Sequence, residues 1–350
     1  MRNVFLLATL FGVTIIGCTP NGGGSGFKYN EGTFPSTATN LGSINSAYDD
    51  YNSALPTIGS SVPLVFSSNR NSQGKDFDFI YKWIDIIRSR TDGTYQIGES
   101  TTAVNGYLDS YSSNANIEYA ISRANSSADE LGPYLVSIGS GIVYGNPTSA
   151  NVQVNHYVFL YATNVSGNLD IRFSENKTTG THGNPVSVDF LNSPQDDAYP
   201  CITKDSSTIY FCSNRGGNFD IYKARLPVNG NGFLAALKEN TAQSVLKDTD
   251  LSSGYDDKCP FIIGTTLLFT SNRPGGFGGY DLYYSKLEND KWSAPVNFGP
   301  NINTASDEYR PIVVNPGANG YEFTNNFMLF SSNRPGGKGG FDLYYAGIDK

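Results

Sequence analysis

The stretch TSNRPGGFGGYDLYY, Thr270–Tyr284, returns almost unchanged as SSNRPGGKGGFDLYY at Ser331–Tyr345. A segment that recurs within one chain marks a repeated structural unit, which constrains the fold more than composition does. Looser copies read VFSSNRNSQGKDFDFIYK from Val65, YATNVSGNLDIRF from Tyr161 and FCSNRGGNFDIYK from Phe211. Their matching asparagines are Asn69, Asn164, Asn214, Asn272 and Asn333. An acidic pair precedes each copy: Asp49-Asp50, Asp129-Glu130, Asp196-Asp197, Asp256-Asp257 and Asp307-Glu308. A proline follows each pair, at Pro56, Pro133, Pro200, Pro260 and Pro311.

The third copy shows the local grammar. Cys201–Thr203 predicts a short strand, Lys204–Ser207 a turn, and Thr208–Ser213 a second strand. Asn214–Asn218 is a glycine-bearing loop and Phe219–Arg225 a third strand. The glycines supply positive-φ positions where the chain reverses. A fourth strand is expected over Lys291–Gly299 in the fourth copy. Four short antiparallel strands per unit, repeated with turn signals, are the pattern of propeller blades. The fold class expected is therefore all-β, a β-propeller of five four-stranded blades. Six remain open if the gap between Asn69 and Asn164 hides a degenerate blade; Asn116–Glu130 in that gap reads as a partly helical insertion. The last copy stops after its third strand, and Phe34–Asp50 matches Trp292–Glu308 with an offset. The N-terminal segment is thus expected to supply the missing fourth strand and remove an exposed edge.

Composition supports a β-rich globular chain: 13% aromatic, with 23 Tyr, 21 Phe and 38 Gly. A formal charge of −8 argues against nucleic acid, which needs a basic face. His156 and His182 are the two histidines, neither at metal-ligand spacing, and no P-loop, Gly-x-Ser-x-Gly elbow or Cys-x-x-Cys occurs. No cofactor is expected.

At the N-terminus, Arg2 precedes the apolar run Val4–Gly17, which is too short to span a bilayer and suits a secretory signal. Ile15-Ile16-Gly17-Cys18 resembles a bacterial lipobox, in which the Cys becomes the lipidated first residue; an ordinary signal peptide with an incidental Cys18 is the alternative. The expected division is a signal peptide over 1–17, lipidated Cys18 and a flexible tether over 18–32, and one propeller domain over 33–350. An oxidising envelope compartment permits a disulfide between Cys201 and Cys212; small buried thiols are the equal alternative, with Cys259 left over.

The order proline, strand, Asp-bearing turn, strand, Ser-Asn-Arg, Gly, Asp-Ile-Tyr in PCITKDSSTIYFCSNRGGNFDIY resembles the WD40-like repeats of the TolB-type propeller family. Ser206 stands where that family carries a turn glycine, and Val165 where it carries the arginine. The longer SNRPGG form resembles envelope lipoproteins of Bacteroidota. No acidic residue follows Cys18 directly, unlike the surface-export signals of some lipoproteins, so an outer-membrane lipoprotein facing the periplasm, held only by its lipid anchor, is expected. The resemblance implies an envelope interaction module and no defined chemistry; with the lipobox and the repeats, the expected role is a non-catalytic binding or scaffold module for an envelope protein or cell-wall component.

Strand parity puts the acidic pairs and the Ser-Asn-Arg loops on one face of the disc. The candidate binding face is Asp196, Asp197, Asp256, Asp257, Asp307 and Glu308 with Arg215, Arg273, Arg334 and Phe277. Against this stands a structural reading, in which each Arg pairs with a carboxylate and the repeated polar groups serve the repeat. Tyr280 and Phe341 are expected to pack their own blades. A carbohydrate-active enzyme is the alternative function; its mark would be carboxylates that break the ring's pseudo-symmetry in the central cavity. A purely structural envelope subunit is a third reading.

Overall fold

The computed structural model describes residues 31–55, 62–91, 93–100, 113–143, 152–175, 183–226, 232–240, 244–315 and 323–350. Cys18 and the signal segment lie outside them, as do Pro56 and His182. A short strand β1 (Thr39–Asn40) comes first. Blade one is β2 (Asp50–Ala54), β3 (Val62–Ser68), β4 (Asp78–Arg88) and β5 (Tyr95–Glu99), followed by helix α1 (Ser113–Ala124). Blade two is β6 (Glu130–Val143), β7 (Val152–Thr163), β8 (Asp170–Glu175) and β9 (Val186–Ser187). Blade three is β10 (Asp197–Ile202), β11 (Thr208–Ser213) and β12 (Asp220–Arg225), then helix α2 (Gly232–Glu239) and β13 (Val245–Lys247). Blade four is β14 (Asp257–Ile263), β15 (Thr266–Ser271) and β16 (Asp281–Glu288), with an outer edge split into β17 (Lys291–Trp292) and β18 (Val296–Asn297). Blade five is β19 (Glu308–Val314), β20 (Asn326–Ser332) and β21 (Asp342–Ile348). The protein is a five-bladed all-β propeller, each blade an antiparallel sheet whose spatial order follows the chain.

The ring closes as the sequence anticipates. Thr39 lies opposite Tyr345 and Asn40 opposite Tyr344, so β1 completes blade five. The side chains repeat the arrangement of blade four: Asn40 Nδ2 donates to Asp342 Oδ2 at 2.9 Å, as Asn297 Nδ2 does to Asp281 Oδ2 at 2.8 Å. Asn45 clamps both backbone groups of Leu343, at 2.9 and 3.0 Å, as Asn303 clamps Leu282 at 2.9 and 3.0 Å.

The innermost strands differ from expectation. The third begins at Asp197 rather than Cys201 and runs through Pro200. A bulge makes this feasible: the register with β11 shifts between Ala198 and Cys201, taking the proline out of the ladder. Every blade has this bulge, at Asn52, Gly132, Tyr199, Cys259 and Arg310, with φ of 50, 61, 57, 54 and 52°. Four of these five are not glycine, so the left-handed backbone carries a cost at each that the surrounding ring must offset.

The long glycine loops have two jobs. Gly275 and Gly336 take φ of 92 and 93° in the reversal itself. Gly278 instead allows close approach to the next blade, since a Cβ there would lie 2.2 Å from Ser306 O and 2.5 Å from Thr304 O. Backbone carbonyls cannot swing aside, so Gly278→Ala should cost about 1–3 kcal/mol or more. Gly254→Ala, with nothing within 4 Å of its Cβ, is the neutral control, read by chemical denaturation.

Of the two readings of Cys201 and Cys212, the structure shows the buried thiols and not the disulfide. Cys201, Cys212 and Cys259 are free, buried thiols. Cys201 sits opposite Tyr210 and packs with Ile221 and Phe269 between blades, whereas Cys212, opposite Ala198, joins the axial cluster with Cys259. Burial pushes the thiols of Cys201 and Cys259 up to about 12, which keeps them protonated and inert.

Candidate functional site

The acidic pairs do share one face with the Ser-Asn-Arg loops, but most of them are consumed by the repeat. The second acid of each pair, Asp50, Glu130, Asp197, Asp257 and Glu308, is fully buried. Asp197 accepts from the Ser193 backbone amide and, at 2.7 Å, from its hydroxyl, and pairs with Arg215. Arg215 also donates to Leu191 O and Ser213 Oγ and lies over the Tyr222 ring at 5.0 Å. Arg273 on Asp257 (2.6 Å) and Arg334 on Glu308 (3.0 Å) repeat this, as does Arg70 on Asp50. The arginines therefore clamp their own blades rather than present a face.

The first acid of each pair ties blade to blade. Asp129, Asp196, Asp256, Asp307 and Asp49 accept the backbone amides of Phe77, Leu169, Phe219, Tyr280 and Phe341, at 3.0, 2.9, 3.0, 2.9 and 2.7 Å. Phe277 stays apart on its exposed loop, its amide bound to Asp281 at 2.6 Å.

Two blades depart from the pattern. In blade two Val165 replaces the arginine. The group deprived is Glu130, whose hydrogen-bond partners among the described residues are Ser126 and Thr163. Its carboxyl is pushed up to about 7, chiefly by burial, against the pull of those hydrogen bonds.

In blade four the departure faces the propeller axis. Asp49, Asp129, Asp196 and Asp307 each use Oδ2 to accept the side-chain amide of their blade's asparagine, at 3.2, 2.9, 3.2 and 3.1 Å. Asp256 Oδ2 instead accepts the Tyr280 hydroxyl at 2.6 Å, with Lys258 Nζ 3.5 Å away. Lys258 Nζ also donates to Tyr280 Oη at 3.3 Å and lies 4.3 Å from the centre of the Phe219 ring. Burial alone would raise Asp256, but the Tyr280 hydroxyl, the Phe219 amide and Lys258 hold it below its ordinary value. Burial would lower Lys258, yet Tyr280 and Asp256 carry it above its ordinary value. Tyr280 is raised by burial and by its bond to Asp256. Near neutrality the three are carboxylate, ammonium and neutral phenol.

These groups border a partly buried aromatic cluster at the axis, whose solvent side is termed the bowl. Residues just before the third strands (Phe77, Phe219, Tyr280, Phe341) meet residues that follow the acidic pairs (Tyr51, Tyr309). Ring centroids are 4.9 Å apart for Tyr51–Phe341, 5.6 Å for Tyr51–Tyr309, 4.8 Å for Tyr280–Tyr309 and 6.0 Å for Tyr51–Phe77. Tyr280 and Phe341 thus pack against the neighbouring blade as well as their own, where Tyr280 meets Asp256 and Lys258 and Phe341 lies 5.8 Å from Tyr309. Below the bowl, Tyr199 accepts from Asn52 at 3.2 Å, and buried Arg310 lies over the Tyr199 ring at 5.5 Å and donates to Pro133 O at 3.1 Å. Among the described residues no cluster of three His, Cys, Asp or Glu is placed to hold a metal ion.

No family model matches the chain, and no curated protein matches it in sequence. Solved structures similar to it include a thermostable family-43 glycoside hydrolase, 10% identical at TM-score 0.47 over 88% of this chain and 92% of that one. An α-L-arabinofuranosidase from Podospora anserina in complex with cellotriose is 10% identical, TM-score 0.46, over 90% and 98%. A family-117 glycoside hydrolase from the marine bacterium Zobellia galactanivorans is 12% identical, TM-score 0.46, over 91% of each chain.

Three expectations are corrected accordingly. No family model matches the chain and the solved structures named above are glycoside hydrolases, so the TolB-type resemblance is not borne out. In this chain Ser-Asn-Arg serves hydrogen bonding inside each blade, with Arg215, Arg273 and Arg334 held by the serine two residues before and the buried acid of the same blade. The non-catalytic scaffold role and the absence of enzymatic activity, which rest on the lipobox, the repeats and the missing catalytic motifs, are withdrawn as well.

Proposed function

We propose that the protein is a carbohydrate-active enzyme of glycoside-hydrolase type that seats its glycan over the axial bowl. The observation that carries this reading is the broken symmetry at Asp256, where the carboxylate turns from its blade's asparagine to Tyr280 and Lys258. Aromatic faces accept the C–H face of a sugar ring, while charged and hydroxyl groups at the rim meet its hydroxyls. Glycoside cleavage commonly employs a carboxylate that stabilises positive charge or activates water, beside a proton donor. Asp256 fills the first role, and Lys258 and Tyr280 are the protonated groups beside it. The Cys18 lipobox supports an outer-membrane lipoprotein location, in which the anchor keeps the enzyme near envelope or imported glycans.

Asp256→Asn keeps the shape and removes the charge. Oligosaccharide release from a panel of purified plant, algal and cell-wall polysaccharides should fall by about 10²-fold or more, the scale of a lost acid–base group. No cleavage by the unaltered protein across the panel, or full activity in the variant, would sink the reading.

A further inference from the structure

A second cavity lies on the opposite face of the disc, between blades four and five. Its volume is about 640 Å³, inside the roughly 300–1,000 Å³ range of small-ligand sites. The split outer edge of blade four helps open it: Ser293–Pro295 interrupt the strand between Trp292 and Val296, so the edge does not run on unbroken. Leu268, Ile302, Tyr284 and Phe298 give it an apolar floor, with the two aromatic rings 5.0 Å apart. Thr265, Asn301 and Asn326 place hydroxyl and amide groups around it. Lys286 and Lys350 bring two positive charges and Asp349 one negative.

We propose that this cavity binds a neutral oligosaccharide, separately from the axial bowl. Three features select that class. The floor is apolar and partly aromatic, as the flat face of a pyranose requires. The rim is mostly uncharged amide and hydroxyl, which pairs with hydroxyls that both donate and accept. The third is Asn326: it is 7% exposed, its Nδ2 donates to Asp349 O at 3.2 Å, and its Oδ1 has no partner. That acceptor is closed off from solvent, so a small shift of the side chain would be needed to bring it to a ligand hydroxyl; as an acceptor it disfavours a carboxylate or phosphate. A site remote from the bowl would hold a polymer near the enzyme without taking part in bond cleavage, so it raises the local concentration of substrate.

The test is calorimetric titration of the full mature chain with cellotetraose, xylotetraose and, as the charged comparison, tetragalacturonate. The unaltered protein and Asp256→Asn should bind a neutral tetrasaccharide equally. Phe298→Ala and, as a milder change on the rim, Asn301→Ala should each weaken that binding by tenfold or more, with unfolding midpoints recorded to confirm folding. Cleavage of a short soluble substrate should be unchanged in Asn301→Ala. Equal affinity for tetragalacturonate, binding untouched by both cavity variants, or no binding of either neutral probe would overturn the proposal. None of these outcomes bears on the bowl, which is judged by cleavage alone.

Discussion

Phe34→Ala should cost about 3–5 kcal/mol of unfolding free energy, the usual range for emptying a buried phenylalanine site. Phe34 is 1% exposed, stacked on Phe323 at 4.2 Å and edge-on to Phe327 at 4.9 Å and Tyr95 at 5.6 Å. The first two rings precede and open the second strand of blade five, and the third belongs to blade one. The residue is therefore a wedge at the seam where the ring closes. Strand β1 contributes only two paired residues, and each hydrogen bond there nets only about 0.5–1.5 kcal/mol. Packing of this one ring thus outweighs the ladder that the closure displays. At roughly 2–4 °C per kcal/mol for a large domain, the unfolding midpoint should fall by about 6–20 °C. Asn40→Ala, which removes the bond to Asp342, should cost only about 1–3 kcal/mol, because the acceptor is charged. If calorimetry shows the two variants equally mild, the seam is not held by Phe34.

Much of this architecture could be read from residues, because the repeat writes its hydrogen bonding into the chain. The turn at Asp205 and the strand Thr208–Ser213 match the structure to the residue, and the closing segment was legible because Asn40 and Asn45 copy Asn297 and Asn303. The bulges were not legible. A left-handed position filled by Asn, Gly, Tyr, Cys and Arg has no residue signature, and the proline that follows in four blades suggested a strand start instead. The bowl was half legible. An aromatic or leucine before every strand-opening Asp was visible in DFD, NLD, NFD, GYD and GFD. That Tyr51, Lys258 and Tyr309 meet those residues over the axis depends on five blades closing into a circle, a relation between units that local pattern does not encode. All five first-position carboxylates proved to be fasteners, and at Asp256 the second oxygen turns to Tyr280.

Blade two supplies the other large effect, a stability that falls as pH rises. Glu130 ordinarily titrates near 4.5 and is pushed up to about 7 in the folded chain. Burial is the main cause; Ser126 and Thr163 pull it back, and Asp78 adds repulsion. Between those two pH values the unfolded chain has released this proton while the folded chain keeps it. The unfolded state therefore binds fewer protons, and stability declines with pH. The contribution is fully present below pH 4.5 and lost as pH passes 7, for a total of about 3 kcal/mol at 1.36 kcal/mol per unit. Asp170, also raised chiefly by burial, acts in the same direction, so the site is isolated by difference. Glu130→Gln should match the unaltered protein near pH 4.5 and exceed it above pH 7, which flattens that part of the profile. Val165→Arg should do the same by another route, since Arg215, Arg273 and Arg334 already hold the equivalent carboxylates from that position. The blade gains the ion pair its four relatives have, and the Glu130 carboxyl returns towards its ordinary value. If urea titrations at pH 4.5, 6 and 8 give parallel profiles for all three proteins, then Glu130 does not carry a proton into the folded state.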